Sequence, residues 1–454
     1  MEIKAKNFGP LESINFSLED FSVITGFNNT GKTYISYALY GFLKTWSNNI
    51  KTLNLEELIE VLLSEGSIDI ELKDYEKKVF KNFRSLSDTF SKNLHKIFSA
   101  NENEFDDTTF SFSIDEASIN YTNGFEIEVK RKNQKIIKAR KESNSSILKI
   151  LLSSDDSELK SKRTNFPPKY FLIEVTSQII NRGILHEVLP EPYIITSERT
   201  GINIFQNELD INKNVLFEKL VQSDKKQFDF DPFDYLDDVV DRYSIPIKDG
   251  IDRIRNIDSI HKKNSYIYKQ HPEIVKKIEK ITGIGYKNIK GEYFITYKKG
   301  RKKVLLPMYL GSASSRALVD LYLFIRHTAE KGQLLIIDEP ELNLHPSVQI
   351  NIARLLASLS NIGIKVLITT HSDYIVKELN NLLMLSKGFT EKENFLKKFK
   401  YEDNEYLNSM NFYIAENKKL DKIEIDEFGL KRTNFDKSIE TLIEISETLY
   451  NKLS

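Results

Sequence analysis

The octapeptide Gly26-Phe27-Asn28-Asn29-Thr30-Gly31-Lys32-Thr33 fits the pattern G-x-x-x-x-G-K-[ST] in full, and it leaves few folds open. An apolar run, Phe21 to Thr25, leads into it. The following stretch, Thr30 to Lys44, reads as a helix with Ile35, Leu39 and Phe42 on one side. In a strand–loop–helix setting, Gly26 and Gly31 let the backbone turn so that N–H groups converge on a phosphate. The helix N-terminus adds partial positive charge. Lys32 is placed to bridge β- and γ-phosphates and Thr33 to ligate Mg²⁺, with Asn28, Asn29 and Thr30 completing the loop. The expected cofactors are ATP and Mg²⁺.

A phosphate loop of this kind needs an acidic partner. Leu334-Leu335-Ile336-Ile337-Asp338-Glu339-Pro340 is an apolar strand ending in two acids. The pattern assigns Asp338 to Mg²⁺ through water and Glu339 to polarising the attacking water. A second strand, Lys365 to Thr369, ends in Thr370-His371-Ser372. Ligands of open α/β sheets bind at the carboxyl ends of strands, so His371 is a candidate contact for the γ-phosphate and the water. His345, in Leu342-Asn343-Leu344-His345-Pro346, reads equally as a site residue or as part of a turn.

Strands and helices alternate through the last third: a helix from about Ser314 to Glu330, the Leu334 strand, a helix from Ser347 to Ser360, then the Lys365 strand. This order means a parallel α/β sheet. Elsewhere, Leu55 to Phe98 has a helical amphipathic pattern, and Asn123-Gly124 is the expected turn between strands at Phe110 and Phe125. Lys141 to Pro168 reads as a polar loop, and Leu209 to Lys280 as helical, broken at Pro232, Pro246 and Pro272. Tyr293 to Leu306 reads as two strands around Lys299-Gly300. The expected organisation is an N-terminal part of the nucleotide-binding head at 1–54, an inserted helical and hairpin segment at 55–165, a head segment at 166–208, a helical insertion at 209–285, and the remaining head at 286–454.

Composition removes whole classes. The 454 residues include no Cys, which excludes disulfides, thiol nucleophiles and Cys-ligated zinc or iron–sulfur sites. Lys+Arg at 65 against Asp+Glu at 66 gives a net charge of −1, which excludes nucleic-acid binding by bulk charge alone. No apolar run reaches the ~20 residues of a membrane span, and Met1 to Phe8 has no secretory apolar core. The expectation is a cytoplasmic protein that does not engage a membrane.

These residues resemble the ABC-type ATPase heads of the SMC, RecF and OLD group. Asn28, Asp338-Glu339-Pro340-Glu341 and Leu344-His345-Pro346 resemble in particular the AAA family ATPases of bacterial anti-phage systems such as Septu, PARIS and the OLD-like proteins. Phe8-Gly9-Pro10, with the Phe21 strand, is similar to the opening of those heads. Tyr193-Ile194-Ile195-Thr196-Ser197-Glu198-Arg199 is similar to a central Y-x-P-x-E-R segment, with Ile195 in place of Pro. The resemblance covers about a third of the chain. It implies an α/β fold: an ABC-type P-loop ATPase head with a mixed or parallel sheet, an antiparallel β lobe and an inserted helical subdomain.

The resemblance also implies a signature loop that completes the ATP site of a second copy. Gly311-Ser312-Ala313-Ser314-Ser315-Arg316-Ala317-Leu318 is the candidate, with Ser312, Ser314 and Ser315 toward nucleotide and Ser315 where Gly is usual. An ordinary Ser-capped helix is the alternative. Gln134 and Gln178 are candidates for a Q-loop. The implied function is an ATP-hydrolysing subunit of an anti-phage system that dimerises around ATP and controls a separate nuclease or toxin. A RecF- or SMC-like DNA-maintenance ATPase is the alternative. After His371 no TOPRIM-like or HNH-like pattern appears, so no nuclease is expected in the chain itself.

Two basic segments, Lys276 to Lys303 with Tyr286, Tyr293 and Tyr297, and Lys130 to Arg140, read either as solvated hairpin faces or as nucleic-acid contacts. An acidic stretch, Asp229 to Asp241, reads as solvated surface or a partner-docking face.

Overall fold

A computed structural model describes residues 1–131, 134–152, 168–204, 243–289, 292–299, 302–431 and 436–453. The acidic stretch at 229–241 lies outside the described residues. The chain forms two compact units. The first comprises Met1–Lys4, Phe42–Asn93 and Thr109–Glu191, and the second Ala5–Gly41, Leu94–Thr108 and Pro192–Ser454.

Among the described residues, seven strands of one sheet lie wholly in the second unit and pair in the order Leu11–Ser17, Lys419–Ile423, Asn411–Glu416, Phe21–Gly26, Lys365–Thr370, Leu334–Asp338 and Pro192–Ile195. The last five run parallel to one another. Lys419–Ile423 turns back antiparallel on Asn411–Glu416, so the sheet is mixed. Every residue of Phe21–Gly26, Leu334–Asp338 and Pro192–Ile195 is buried. That explains why they do not alternate apolar with charged residues: a parallel strand covered on both faces has no solvent side, and Ser22 and Thr25 in the first of them are themselves buried. Helix Pro346–Asn361 buries Ile352, Leu355, Leu356 and Leu359 in the core, and Asp373–Leu385 adds Ile375, Leu379 and Leu382.

The five parallel strands share one carboxyl edge. Gly26, Thr370 and Asp338 stand there side by side, with Thr25 opposite Thr370 and Asp338 opposite Thr369. The loop motif, both acids and His371 therefore leave the sheet at the same edge.

In the second unit Tyr293 to Leu306 does give two strands, Glu292–Lys299 and Lys302–Pro307, paired antiparallel with Gly285–Ile289 completing the sheet. Pro246 and Pro272 stand in the first turns of helices Ile245–Arg255 and Pro272–Thr282, where a missing N–H costs nothing. The helix before the Leu334 strand ends in a π-turn at Phe324–Thr328.

In the first unit, four strands pair antiparallel in the order Ser67–Glu71, Ile147–Leu152, Gln134–Lys141 and Phe125–Arg131. Three sequence expectations are corrected here. The helical reading of Leu55 to Phe98 is interrupted, because Gly66 closes helix Glu56–Glu65 at φ 75° and strand Ser67–Glu71 follows. Its partner, Ile147–Leu152, lies in the stretch read as a loop. Asp69 faces Lys149 across the pair, while Ile70, Leu148 and Ile150 are buried. Lys149 lies with Ile147 on the exposed face of that strand. Asn123-Gly124 does not join paired strands, since Phe125–Arg131 pairs with Gln134–Lys141 and Thr109–Ser113 belongs to another sheet. The Glu187 carboxylate instead holds that corner, accepting from the Asn123 N–H at 2.8 Å and the Thr122 hydroxyl at 3.1 Å.

Ile368 lies in the strand between the loop strand and the acidic strand, and it is fully buried. Ile368→Ala is expected to cost about 2–5 kcal/mol, read as a lower denaturant midpoint. The exposed Lys398→Ala is expected to stay within about 0.5 kcal/mol of wild type in the same assay.

Candidate active site

The loop after the Phe21 strand takes an unusual backbone path. Gly26 has φ 143°, Asn29 62° and Gly31 93°. A Cβ at Gly26 would stand 2.4 Å from the Ala415 carbonyl oxygen on the neighbouring strand, so only glycine fits. The Thr30 hydroxyl donates to the Phe27 carbonyl at 2.8 Å and closes the turn. Helix Lys32–Asn49 begins immediately after it. Lys32 is 5% exposed, and its ammonium donates to the carbonyls of Gly26 at 3.0 Å and Phe27 at 2.8 Å. Burial pushes the Lys32 pKa down, opposed by Glu339, Asp338 and Glu341 nearby.

Asp338 is 1% exposed. One of its oxygens accepts from the Thr33 hydroxyl at 3.0 Å, and the other from the Thr369 hydroxyl. Burial pushes the Asp338 carboxyl above the ordinary range, while the two hydroxyls favour the charged form. Thr33 and Asp338, named separately from sequence, are thus in direct contact. An oxygen-only pair beside a phosphate loop is a donor set suited to Mg²⁺, which takes one or two protein ligands and completes its shell with phosphate and water. Among the described residues no group of three or more His, Asp or Glu could hold a metal by itself, so such an ion would depend on the nucleotide.

Glu339 follows at φ 52°, a left-handed conformation that costs a non-glycine residue about 1–3 kcal/mol. Its N–H donates to the Thr369 carbonyl at 3.0 Å. His371 Nε2 lies 2.9 Å from Glu339 Oε1. The hydrogen bond from His371 holds the Glu339 carboxyl below its ordinary range despite partial burial, with Lys32 and Arg199 adding to the effect. An ionised carboxylate only accepts, so His371 is the donor.

Glu341, which the sequence reading gave no role, braces this pair. Its carboxylate accepts from the His371 N–H at 2.7 Å and the Thr370 hydroxyl at 2.9 Å. Arg199 was also given no role. It is buried and donates to the carbonyls of Thr196, Ala317, Asp338 and Glu339. Next to it, Glu198 accepts from the Tyr37 hydroxyl of the loop helix at 2.9 Å. The Glu198-Arg199 dipeptide in the quoted central segment was the signal available for both.

His345 caps helix Pro346–Asn361, its side chain accepting from the Ser347 N–H, which fits the turn reading. Ser312 caps the short helix Ala313–Ala317 by accepting from the Ser315 N–H at 3.2 Å. Ser315 is buried, with its hydroxyl 2.7 Å from Ser312 Oγ, while Ser312 is exposed and Ser314 half-buried. Gln134 and Gln178 both lie in the first unit. Tyr286 and Tyr293 are buried, and Tyr286 donates to the Ser315 carbonyl at 2.6 Å. Lys135, Lys138 and Arg140 pair with Glu128, Glu126 and Glu142.

The depressed Glu339 pKa has a definite sign for stability. Its contribution is present above the unfolded carboxyl pKa of about 4.3 and is lost as pH falls through the lower folded value. His371→Ala removes the largest cause, so the Glu339 carboxyl is expected to titrate at higher pH, read by carbon NMR of labelled Glu.

The family model described as an AAA ATPase domain matches residues 1–376. No curated protein matches the chain. The chain is similar to an Smc head bound to the C-winged helix domain of ScpA, with TM-score 0.34, 9% identity, and 93% of this chain and 96% of that one covered. It is similar to an Smc head with an extended coiled coil bound to the C-terminal domain of ScpA, from Pyrococcus furiosus, with TM-score 0.31, 12% identity and 98% of each chain covered. It is also similar to an SMC head domain from Thermotoga maritima, with TM-score 0.29, 11% identity, and 94% and 98% covered. With more than half of its length matched by the family model, the chain belongs to the AAA ATPase domain family.

Proposed function

We propose that the chain binds ATP with Mg²⁺ and hydrolyses it to ADP and phosphate. The observation that carries this reading is the Asp338 carboxylate, bonded at once to the Thr33 hydroxyl of the phosphate loop and to Thr369 beneath His371. Lys32 and the loop N–H groups bind the phosphates. Thr33 and Asp338 hold the ion, which neutralises charge on the phosphate oxygens. Glu339 orients the attacking water by accepting its hydrogen bond. A carboxylate kept below its usual pKa suits that task, since phosphoryl transfer depends more on positioning than on early proton removal. His371 keeps the Glu339 carboxylate in place.

We also propose that two copies close around ATP, with Ser312 and Ser314 of one facing the nucleotide of the other, and that closure controls a separate nuclease or toxin in anti-phage defence. The support is the resemblance carried by Asp338 to Glu341 and Leu344 to Pro346, together with a Ser-capped loop that leaves Ser312 exposed.

Lys32→Ala is expected to abolish ATP binding by calorimetry. Glu339→Gln is expected to bind ATP but to slow single-turnover hydrolysis by about 10²–10⁴-fold. Unchanged turnover in that variant would remove Glu339 from its role. Ser314→Arg is expected to bind ATP as a single head and to lose ATP-dependent dimers in light scattering. Wild-type dimers in that variant would refute the assembly proposed.

A further inference from the structure

Arg199 is 2% exposed, an unusual place for a guanidinium. Its four hydrogen bonds all end on main-chain carbonyls: Nε to Ala317 at 3.0 Å, Nη1 to Thr196 at 2.9 Å and Asp338 at 2.9 Å, and Nη2 to Glu339 at 2.7 Å. Asp338 and Glu339 carry the two acids of the site, and Ala317 ends the helix that Ser312 caps. Asn203 strengthens the same link, donating to the Arg199 carbonyl at 2.8 Å and the Arg316 carbonyl at 3.2 Å.

The bond to Glu339 matters because of that residue's backbone. A glutamate at φ 52° persists only where its surroundings fix it. Its N–H is fixed by Thr369, and its carbonyl accepts from Arg199 at 2.7 Å and from the Leu342 N–H at 3.1 Å. Without the guanidinium the Asp338 and Glu339 carbonyls lose a charged donor in a buried place. The turn then rests on the neutral Leu342 N–H and Thr369 alone, and loses the charged donor that opposes a return to negative φ, which re-aims the Glu339 side chain away from His371.

We propose that Arg199 is a positioning residue for hydrolysis. Its guanidinium locks the Glu339 backbone in the left-handed turn that presents the carboxylate to His371, and ties that turn to the helix behind Ser312. The proposal rests on the reading of the site as an ATPase. None of the four bonds reaches Gly26 to Thr33, so ATP binding and hydrolysis separate on loss of Arg199. Lysine cannot replace it, because one ammonium does not span carbonyls arranged around a planar fork.

The test compares the full-length wild type, Lys32→Ala, Arg199→Lys and Arg199→Ala in steady-state ATPase assays and ATP calorimetry. In both Arg199 variants kcat is expected to fall about 10²-fold, with KM and ATP affinity near wild type. Guanidinium ion at a sub-denaturing concentration is expected to raise kcat of Arg199→Ala and not of wild type. If Arg199→Ala does not fold, Arg199→Lys decides. Wild-type kcat in Arg199→Lys overturns the proposal while leaving the ATPase reading intact. Loss of ATP affinity in parallel with kcat, without guanidinium rescue in Arg199→Ala, overturns it too by showing a general structural role. Wild-type hydrolysis no faster than that of Lys32→Ala refutes the ATPase reading, and the Arg199 proposal with it.

Discussion

A carboxylate taken out of water costs several kcal/mol unless its oxygens are satisfied, and Asp338 is almost wholly out of water. Its partners are two hydroxyls, from Thr33 on the phosphate loop and Thr369 on the neighbouring strand. The burial is possible only because the Phe21, Lys365 and Leu334 strands run parallel and end together. In return, the two bonds register the loop against the acidic strand. Displacing either element leaves a buried carboxyl oxygen without its partner.

The residues around Asp338 trade local comfort for placement. Glu339 takes a left-handed backbone, Glu341 is a carboxyl whose pKa burial pushes up, and Arg199 gives its guanidinium to main-chain carbonyls. Each cost is offset by specific bonds: Thr369 and Arg199 to the Glu339 peptide, His371 to its carboxylate, and the His371 N–H with Thr370 to Glu341. This density of compensated strain at one sheet edge separates the site from the rest of the surface. The basic hairpin shows the contrast. Its exposed Lys135 and half-buried Lys138 pair with neighbouring glutamates at the surface, contacts worth about 0–1 kcal/mol each.

The parallel strands were legible because both of their faces are buried, so apolar residues run unbroken through Leu334 to Ile337 and dominate Phe21 to Ile24. The first unit was harder to read. Ser67–Glu71 alternates polar and apolar residues over only five positions, and Ile147–Leu152 is a six-residue run that is apolar apart from Lys149. So short a pattern does not distinguish a strand from a helical turn or a loop until the two segments pair. Asn123-Gly124 misled for a related reason. A turn dipeptide specifies a local bend, whereas which strands flank it depends on what each strand finds to pair with.

The sequence by itself marked the glycine-rich loop, its strand and helix, and Lys32, Thr33, Asp338, Glu339 and His371 as the residues to expect together, because phosphate-binding chemistry requires given residue types at fixed spacing. Tertiary structure alone decided that Thr33 and Asp338 touch, that His371 bonds Glu339, and that Glu341 and Arg199 support them. Those contacts join residues separated by up to 305 positions, as for Thr33 and Asp338. Sequence spacing constrains only what lies within a turn or two along the chain. Strand order and the shared carboxyl edge decide everything that meets across it.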